Sequence, residues 1–210
     1  MIAILDYGAG NLRSVELGFA RVGVPAVVVT KPEQLREANA LVLPGVGAFA
    51  DAMNALRSGT LLPEMLREVE NGKPLLGICL GMQALFDSSE EGVGVEGLGL
   101  IGGKVKRLPS ETPLGRQKVP HMGWNTLTPR GDSPLFDGLP TDPCGYFVHS
   151  FACVPDDPAD VRAAAEYGVE FAAAVCRGNV MGMQFHPEKS GEVGKRLLQN
   201  FAKWAEGGAF

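Results

Sequence analysis

The chain has 210 residues, 45% of them hydrophobic, and a formal net charge of -5, which is enough apolar sequence for one sizeable core and predicts a single domain over residues 1–210. Its lysines and arginines are scattered rather than clustered, which argues against a nucleic-acid or anionic-membrane surface, and the longest uncharged apolar stretch, Pro74 to Phe86, is too short to span a bilayer. Four cysteines without C-x-x-C spacing, and an N-terminus interrupted by Asp6 before any leader-like run develops, predict a reduced, cytoplasmic protein.

Met1 to Leu5 is a continuous apolar run of the kind that forms a strand buried on both faces. The loop Asp6-Tyr7-Gly8-Ala9-Gly10-Asn11 follows. Leu12, Val15, Phe19 and Val22 then recur at helical spacing until Gly23 stops the helix, and Pro25 to Thr30 reads as a second strand. A short helix over Pro32 to Glu37 leads to a third strand, Ala40 to Leu43. Helical patterns over Ala48 to Leu56 and Leu62 to Glu70 lead to a fourth strand, which starts at Pro74. Strands alternating with helices predict an α/β fold: a mostly parallel central sheet flanked by helices, with ligands at the carboxyl ends of the strands. The Gly8-x-Gly10 loop invites a dinucleotide reading, but Arg13 stands where a third glycine would be required, so a tight polar turn is preferred.

Beyond Gly92 glycines are dense and the helical pattern is lost. Leu98 to Arg107 reads as a strand opening an additional antiparallel portion, continued by Gln117 to Pro120, Trp124 to Leu127, Cys144 to Val154, Glu170 to Arg177 and Val180 to Phe185. Gly191 to Ala205 is a closing helix with Val193, Leu197, Phe201 and Trp204 on one face. Trp124, in Pro120-His121-Met122-Gly123-Trp124, is a large aromatic out of place in a merely solvated loop, and packing under that loop is the plain structural reading of it.

The chemistry centres on Gly77-Ile78-Cys79-Leu80-Gly81. An apolar strand ends at Cys79 and a helix starts at Leu80, so the cysteine falls at a sharp strand-to-helix turn flanked by glycines, the spacing of an elbow that exposes a nucleophile. The Leu80 N–H is left free to face an oxyanion, and the young helix N-terminus favours a thiolate. By itself this pattern is equally a core turn around a buried cysteine. A base is found in Phe185-His186-Pro187-Glu188, where His186 lies just past a strand end and Pro187 directs Glu188 into the same site. Of the other two histidines, His121 and His149, neither has an acid within two positions. Pro44-Gly45-Val46-Gly47, directly after the third strand, can point backbone N–H groups into the site as a second oxyanion donor, or can be an ordinary connection. Histidines and carboxylates never cluster at ligand spacing, so neither a metal nor another cofactor is expected.

Gly77-Ile78-Cys79-Leu80-Gly81-Met82-Gln83 together with Phe185-His186-Pro187-Glu188 resembles the signature pair of class I, triad-type glutamine amidotransferases. The stretches Asp6 to Asn11, Leu43 to Phe49, Pro120 to Asn125, Tyr146 to Ser150 and Glu188 to Ser190 narrow the resemblance to the glutaminase subunits of imidazole glycerol phosphate synthases, from residue 6 to residue 190, with about Val154 to Gly168 unmatched. The resemblance implies hydrolysis of L-glutamine by a Cys79, His186, Glu188 triad, with the oxyanion held by Leu80 N–H and an N–H of Gly45, Val46 or Gly47. It implies substrate contacts at Gln83, His149 and Ser150, and ammonia delivery to a (β/α)8-barrel cyclase subunit in a heterodimer serving histidine biosynthesis. The chain itself has no phosphate-cradling motif for the cyclase's substrate. Three rival readings are a glutaminase of another synthase, such as that for anthranilate or pyridoxal phosphate, a cysteine peptidase or esterase on a related elbow, and a binding protein with an inert cysteine.

Overall fold

A computed structural model describes residues 1–113, 115–131 and 133–207. The first half alternates as expected: β1 (Ile2–Leu5), α1 (Leu12–Ala20), β2 (Ala26–Val29), α2 (Pro32–Glu37), β3 (Ala40–Gly45), α3 (Phe49–Ser58), α4 (Leu61–Glu70), β4 (Leu75–Cys79) and α5 (Leu80–Ala84). The second half is mainly strands: β5 (Ser88–Ser89), β6 (Gly103–Arg107), β7 (Glu111–Thr112), β8 (Gly115–Arg116), β9 (His121–Thr126), β10 (Thr128–Pro129), β11 (Cys144–His149), β12 (Phe151–Pro155), β13 (Val161–Glu166), β14 (Glu170–Arg177) and β15 (Val180–Met183), before α6 (Gly191–Ala205) closes the chain.

One eight-stranded sheet runs in the order β10-β13-β14-β15-β4-β3-β1-β2. Strands β2, β1, β3, β4 and β15 are parallel, and β14, β13 and β10 continue antiparallel. Strands β1, β3 and β4 are buried along their whole length, which is why their sequences read as unbroken apolar runs. Their alternate side chains feed two cores. Ile2, Ile4, Val42, Leu76 and Ile78 face Phe19 of α1 and Leu197 and Phe201 of α6. Ala3, Leu5, Leu41, Leu43 and Leu75 face Phe49 and Met53 of α3 and Met65 of α4. Three smaller sheets, β11 with β9, β12-β6-β5 and β7 with β8, accompany the main one.

The structure departs from the sequence reading in five places. Cys144 to Val154 is not one strand: it breaks at Ser150 into β11 and β12, which belong to different sheets. Val180 to Phe185 is not part of a separate antiparallel set: β15 lies parallel to β4 and antiparallel to β14, so it is the seam where the main sheet changes direction. Leu98 to Ile101 is not strand, because the N–H groups of Leu98, Leu100 and Ile101 cap the carbonyls of Ala84 and Leu85 at the end of α5, and the strand starts only at Gly103. Gln117 to Pro120 is irregular, and the strand begins at His121. In the unmatched stretch, β13 pairs with β14 through Ala163, Ala164 and Ala165.

Two helices grip the segment that follows β15. It forms a short 3-10 turn, Pro187–Lys189. Gly194 of α6 sits so close that a Cβ there would lie 1.8 Å from the Pro187 carbonyl oxygen, and a Cβ on Gly18 of α1 would lie 3.0 Å from Glu188 Cβ. Gly194 is therefore required by close approach, whereas a methyl at Gly18 would need Glu188 and Leu198 to give by a few tenths of an ångström. Gly194→Ala should cost roughly 1 to 3 kcal/mol by overpacking and push Pro187–Lys189 away from the sheet, read as a lower urea midpoint in chemical denaturation. An unchanged midpoint would show that α6 does not press on this turn.

Candidate active site

The site forms where three neighbouring parallel strands end. At its C-terminus β4 delivers Cys79; Gly45 at the end of β3 is its register partner, and β15 ends beside Ile78. The chain running on from β15 through Gln184 and Phe185 therefore arrives at His186 beside the thiol, although the two residues are far apart in sequence.

Cys79 turns at φ 55° and ψ -110°, and it is the one non-glycine residue with positive φ among the described residues. Holding that conformation costs of order 1–3 kcal/mol, met by the packing around it. The flanking glycines do not supply the unusual dihedrals themselves; they supply clearance. A Cβ on Gly77 would meet the Gly81 carbonyl oxygen at 2.7 Å, and one on Gly81 would meet the Leu43 carbonyl oxygen at 1.8 Å. Gly45 is equally confined, its Cβ position lying 2.8 Å from Gly81 N and 3.0 Å from the Tyr7 hydroxyl. Strand β3 thus ends directly against the first turn of α5, which sets Gly45, Val46 and Gly47 next to Leu80. Tyr7 fastens this arrangement by donating to the Pro44 carbonyl at 2.7 Å.

His186 Nδ1 is 2.9 Å from Glu188 Oε1, and the imidazole lines the same cavity as the Cys79 thiol, near enough for the charge on one to be felt by the other. The ring is buried and the Glu188 carboxylate is 1% exposed. Burial alone would lower the pKa of His186, but the neighbouring Cys79 and the hydrogen-bonded Glu188 carboxylate, which favour the protonated ring, outweigh it and raise it to about 9. The His186 backbone is fixed as well: its N–H donates to the Tyr146 carbonyl at 2.9 Å, and its carbonyl accepts from the Ser190 hydroxyl at 2.6 Å. Ser190 Oγ in turn accepts from Tyr146 N–H at 3.0 Å, so β11 and the His186 turn are tied together.

A cavity of about 350 Å³ opens above the thiol. Cys79, His186, Leu80, Gln83, Val46, Gly47, His149 and Ser150 all line it, while Gly45 is buried behind Val46. Glu188 stands behind His186, outside the cavity wall. Glu91 and Lys189 also line it, one acid and one base that sequence reasoning did not single out. Glu91 Oε2 accepts from Phe49 N–H at 2.8 Å, a long-range cap on α3 that no local motif announces.

Both His149 ring nitrogens are engaged within the protein. Nδ1 faces the Phe151 carbonyl at 2.8 Å, so it carries the proton, and Nε2 accepts from His121 Nδ1 at 3.0 Å. Burial is the main cause that lowers both imidazoles to about 4, so both are neutral. What this segment offers a ligand is its backbone and the Ser150 hydroxyl. Gln83 Nε2 donates to the Phe151 carbonyl at 3.0 Å and to Gln184 Oε1 at 3.1 Å, which leaves its carbonyl oxygen for the cavity. Trp124 is not packed under its loop: it is 58% exposed on the outer face of β9, edge-on to Tyr146, with Met122 63% exposed beside it. Among the described residues no helix is long and apolar enough to cross a membrane.

A thiol at a strained elbow, an imidazole on the same cavity wall, and a buried carboxylate bonded to the imidazole are the parts of an activated cysteine nucleophile. The model of the family "Glutamine amidotransferase class-I" matches residues 3–204. The chain is 51% identical to Imidazole glycerol phosphate synthase subunit HisH of Syntrophotalea carbinolica over 96% of this chain and 98% of that protein, and 51% identical to the protein of the same name from a Geobacillus strain over 99% and 98%. The fold is similar to that in "Crystal structure of glutamine amidotransferase", with a TM-score of 0.76 at 23% identity over 98% of both chains, and to that in "Structure of PurLQS from Thermotoga maritima", with 0.77 at 22% over 97% of both. The site, the matched length and the relatives agree: this chain belongs to the class I glutamine amidotransferase family.

Proposed function

We propose that the chain, as one domain over residues 1–210, is the glutaminase subunit of an imidazole glycerol phosphate synthase and hydrolyses L-glutamine through Cys79, His186 and Glu188. The observation that carries this reading is that the Cys79 thiol and the His186 imidazole line one cavity, with the buried Glu188 carboxylate 2.9 Å behind the imidazole. His186, oriented by Glu188, takes the thiol proton, and the sulfur attacks the substrate carboxamide. Leu80 N–H and an N–H of the Gly45, Val46 and Gly47 loop receive the oxyanion, a role supported by Leu80, Val46 and Gly47 lining the cavity beside the thiol. Protonated His186 then donates to the leaving nitrogen, ammonia departs, and a water deprotonated by His186 releases glutamate from the thioester. Glu91 and Lys189 give the cavity one charge of each sign, which suits the zwitterionic end of an amino acid, and the Gln83 oxygen and the Ser150 hydroxyl add polar contacts. Both His149 nitrogens being occupied, its contribution falls to the backbone.

The partner is a (β/α)8-barrel cyclase subunit that consumes the ammonia in a heterodimer. Exposed Trp124 and Met122, on a strand that starts beside cavity-lining Pro120, supply an apolar face for it near the mouth. Free ammonia would be protonated and lost at neutral pH, so hydrolysis is expected to be slow in the isolated subunit and fast in the complex; comparable steady-state rates would argue against gating by the partner. Cys79→Ala should abolish glutamine hydrolysis while leaving ammonia-dependent synthesis by the complex intact, and surviving glutaminase activity would remove Cys79 from the role of nucleophile.

The raised pKa of His186 makes a separate prediction about stability. Because the folded value, about 9, lies above the ordinary 6.5, the stabilisation from the protonated ring is complete below about pH 6.5 and is lost as pH rises through about 9. Urea unfolding across this window should show wild-type stability declining and His186→Gln declining less. Parallel profiles would contradict a charged imidazole between thiol and carboxylate.

A further inference from the structure

Gln184, between β15 and His186, is fully buried at 0% exposure, and the triad makes no use of it. A primary amide removed from water costs several kcal/mol unless its groups are bonded. Here both ends are bonded, and the partners dictate which end is which. The Phe151 carbonyl can only accept, so the Gln83 side chain must turn its NH2 toward it, at 3.0 Å. The second N–H of the same group points at Gln184, which therefore presents its oxygen, at 3.1 Å. That leaves the Gln184 NH2 facing the remaining neighbour, Cys79 Sγ, at 3.8 Å. A single backbone oxygen thus orients two amides in series and ends with an N–H aimed at the sulfur.

The Cys79 surroundings create a need for such a donor. The Val148 carbonyl lies 3.8 Å from the sulfur, a contact that suits a thiol and opposes a thiolate. The titratable groups that face it are His186, Tyr7 and Cys153. Burial first, and then the proximity of Cys79, push Tyr7 and Cys153 upward, so both stay neutral and offer the sulfur no charge. Among the described residues these leave His186 as the neighbour whose positive charge acts on the sulfur.

We propose that Gln184 is a further catalytic residue, whose side-chain N–H donates to the Cys79 sulfur and holds it as the thiolate, with Gln83 and the Phe151 carbonyl as the positioning groups behind it. The inference rests on the reading of Cys79 as the nucleophile. The Gln184 backbone N–H donates to the Ala173 carbonyl of β14 at 2.9 Å, so the side-chain donor is mounted on the sheet rather than on a loop.

The test is alkylation of Cys79 by iodoacetamide, followed on the Cys79 peptide by mass spectrometry across pH, in wild type and in Gln184→Met, which keeps the length and removes the donor. A hydrogen bond to a charged group corresponds to about tenfold, so the variant should react about tenfold more slowly at mildly acidic pH and converge on wild type at alkaline pH. A purely structural role would slow both ends of the profile alike. Gln184→Asn, which keeps the amide and withdraws it from the sulfur, should shift the profile in the same direction and serves if the methionine variant does not fold. A wild-type cysteine that reacts early in the pH range, with a profile unmoved in the folded variants, would overturn this inference alone. A wild-type Cys79 with no thiolate reactivity at mildly acidic pH would overturn it together with the nucleophile reading.

Discussion

The left-handed turn at Cys79 is the constraint on which the site depends. A side chain bearing a Cβ is held at φ 55°, and what holds it is the crowding on either side: β3 is pressed so closely onto the first turn of α5 that neither Gly45 nor Gly81 has room for a methyl group. The strain and the clearance are one feature. If the strand ends moved apart to relieve the turn, the cysteine would lose its aim, and the Gly45 to Gly47 loop would leave the Leu80 N–H. The site is therefore only as well ordered as the parallel half of the sheet beneath it, which explains why β1, β3 and β4 carry unbroken buried apolar runs.

Against that fixed nucleophile the antiparallel half brings everything else. Strand β15 is the point of contact between the halves, parallel to β4 on one side and antiparallel to β14 on the other, and the base follows directly from its end. Strand β11 supplies Tyr146, whose backbone ties down both His186 and Ser190, and the segment after it supplies the Phe151 carbonyl that receives both Gln83 and His149. The paired neutral imidazoles of His121 and His149 stiffen this wall without adding charge. Charge in the site is thus concentrated in the Cys79, His186 and Glu188 line and in Glu91 and Lys189 around the cavity.

Much of this was legible in the amino-acid order, and what was not has a common reason. Helices α2 and α6 fall on the residues that Pro32 and Gly191 announce, and the elbow and its base were visible because glycine spacing and a His-Pro-Glu turn are local signals. Gly18 and Gly194 carried no such signal, since their importance lies in how near another segment's backbone comes. Gln184 read as one more strand residue, and its role needs a carbonyl contributed from β12. The strand β13 escaped notice because Ala163, Ala164 and Ala165 lack the branched or aromatic side chains that mark a strand, and pairing with an equally alanine-rich β14 is what makes them one. The apolar run from Leu98 suggested a strand, yet its N–H groups were already committed to the end of α5.

The grip of α1 and α6 on the turn that carries Glu188 has a consequence for assembly of the molecule. The carboxylate is oriented by one helix made early in the chain and another made late, whereas the elbow is built from strands near the middle. A folding intermediate with a formed sheet but an undocked α6 would hold its sulfur in place with no oriented acid behind the imidazole. The reactive line therefore depends on the docking of the chain's last helix as much as on the elbow that holds the sulfur.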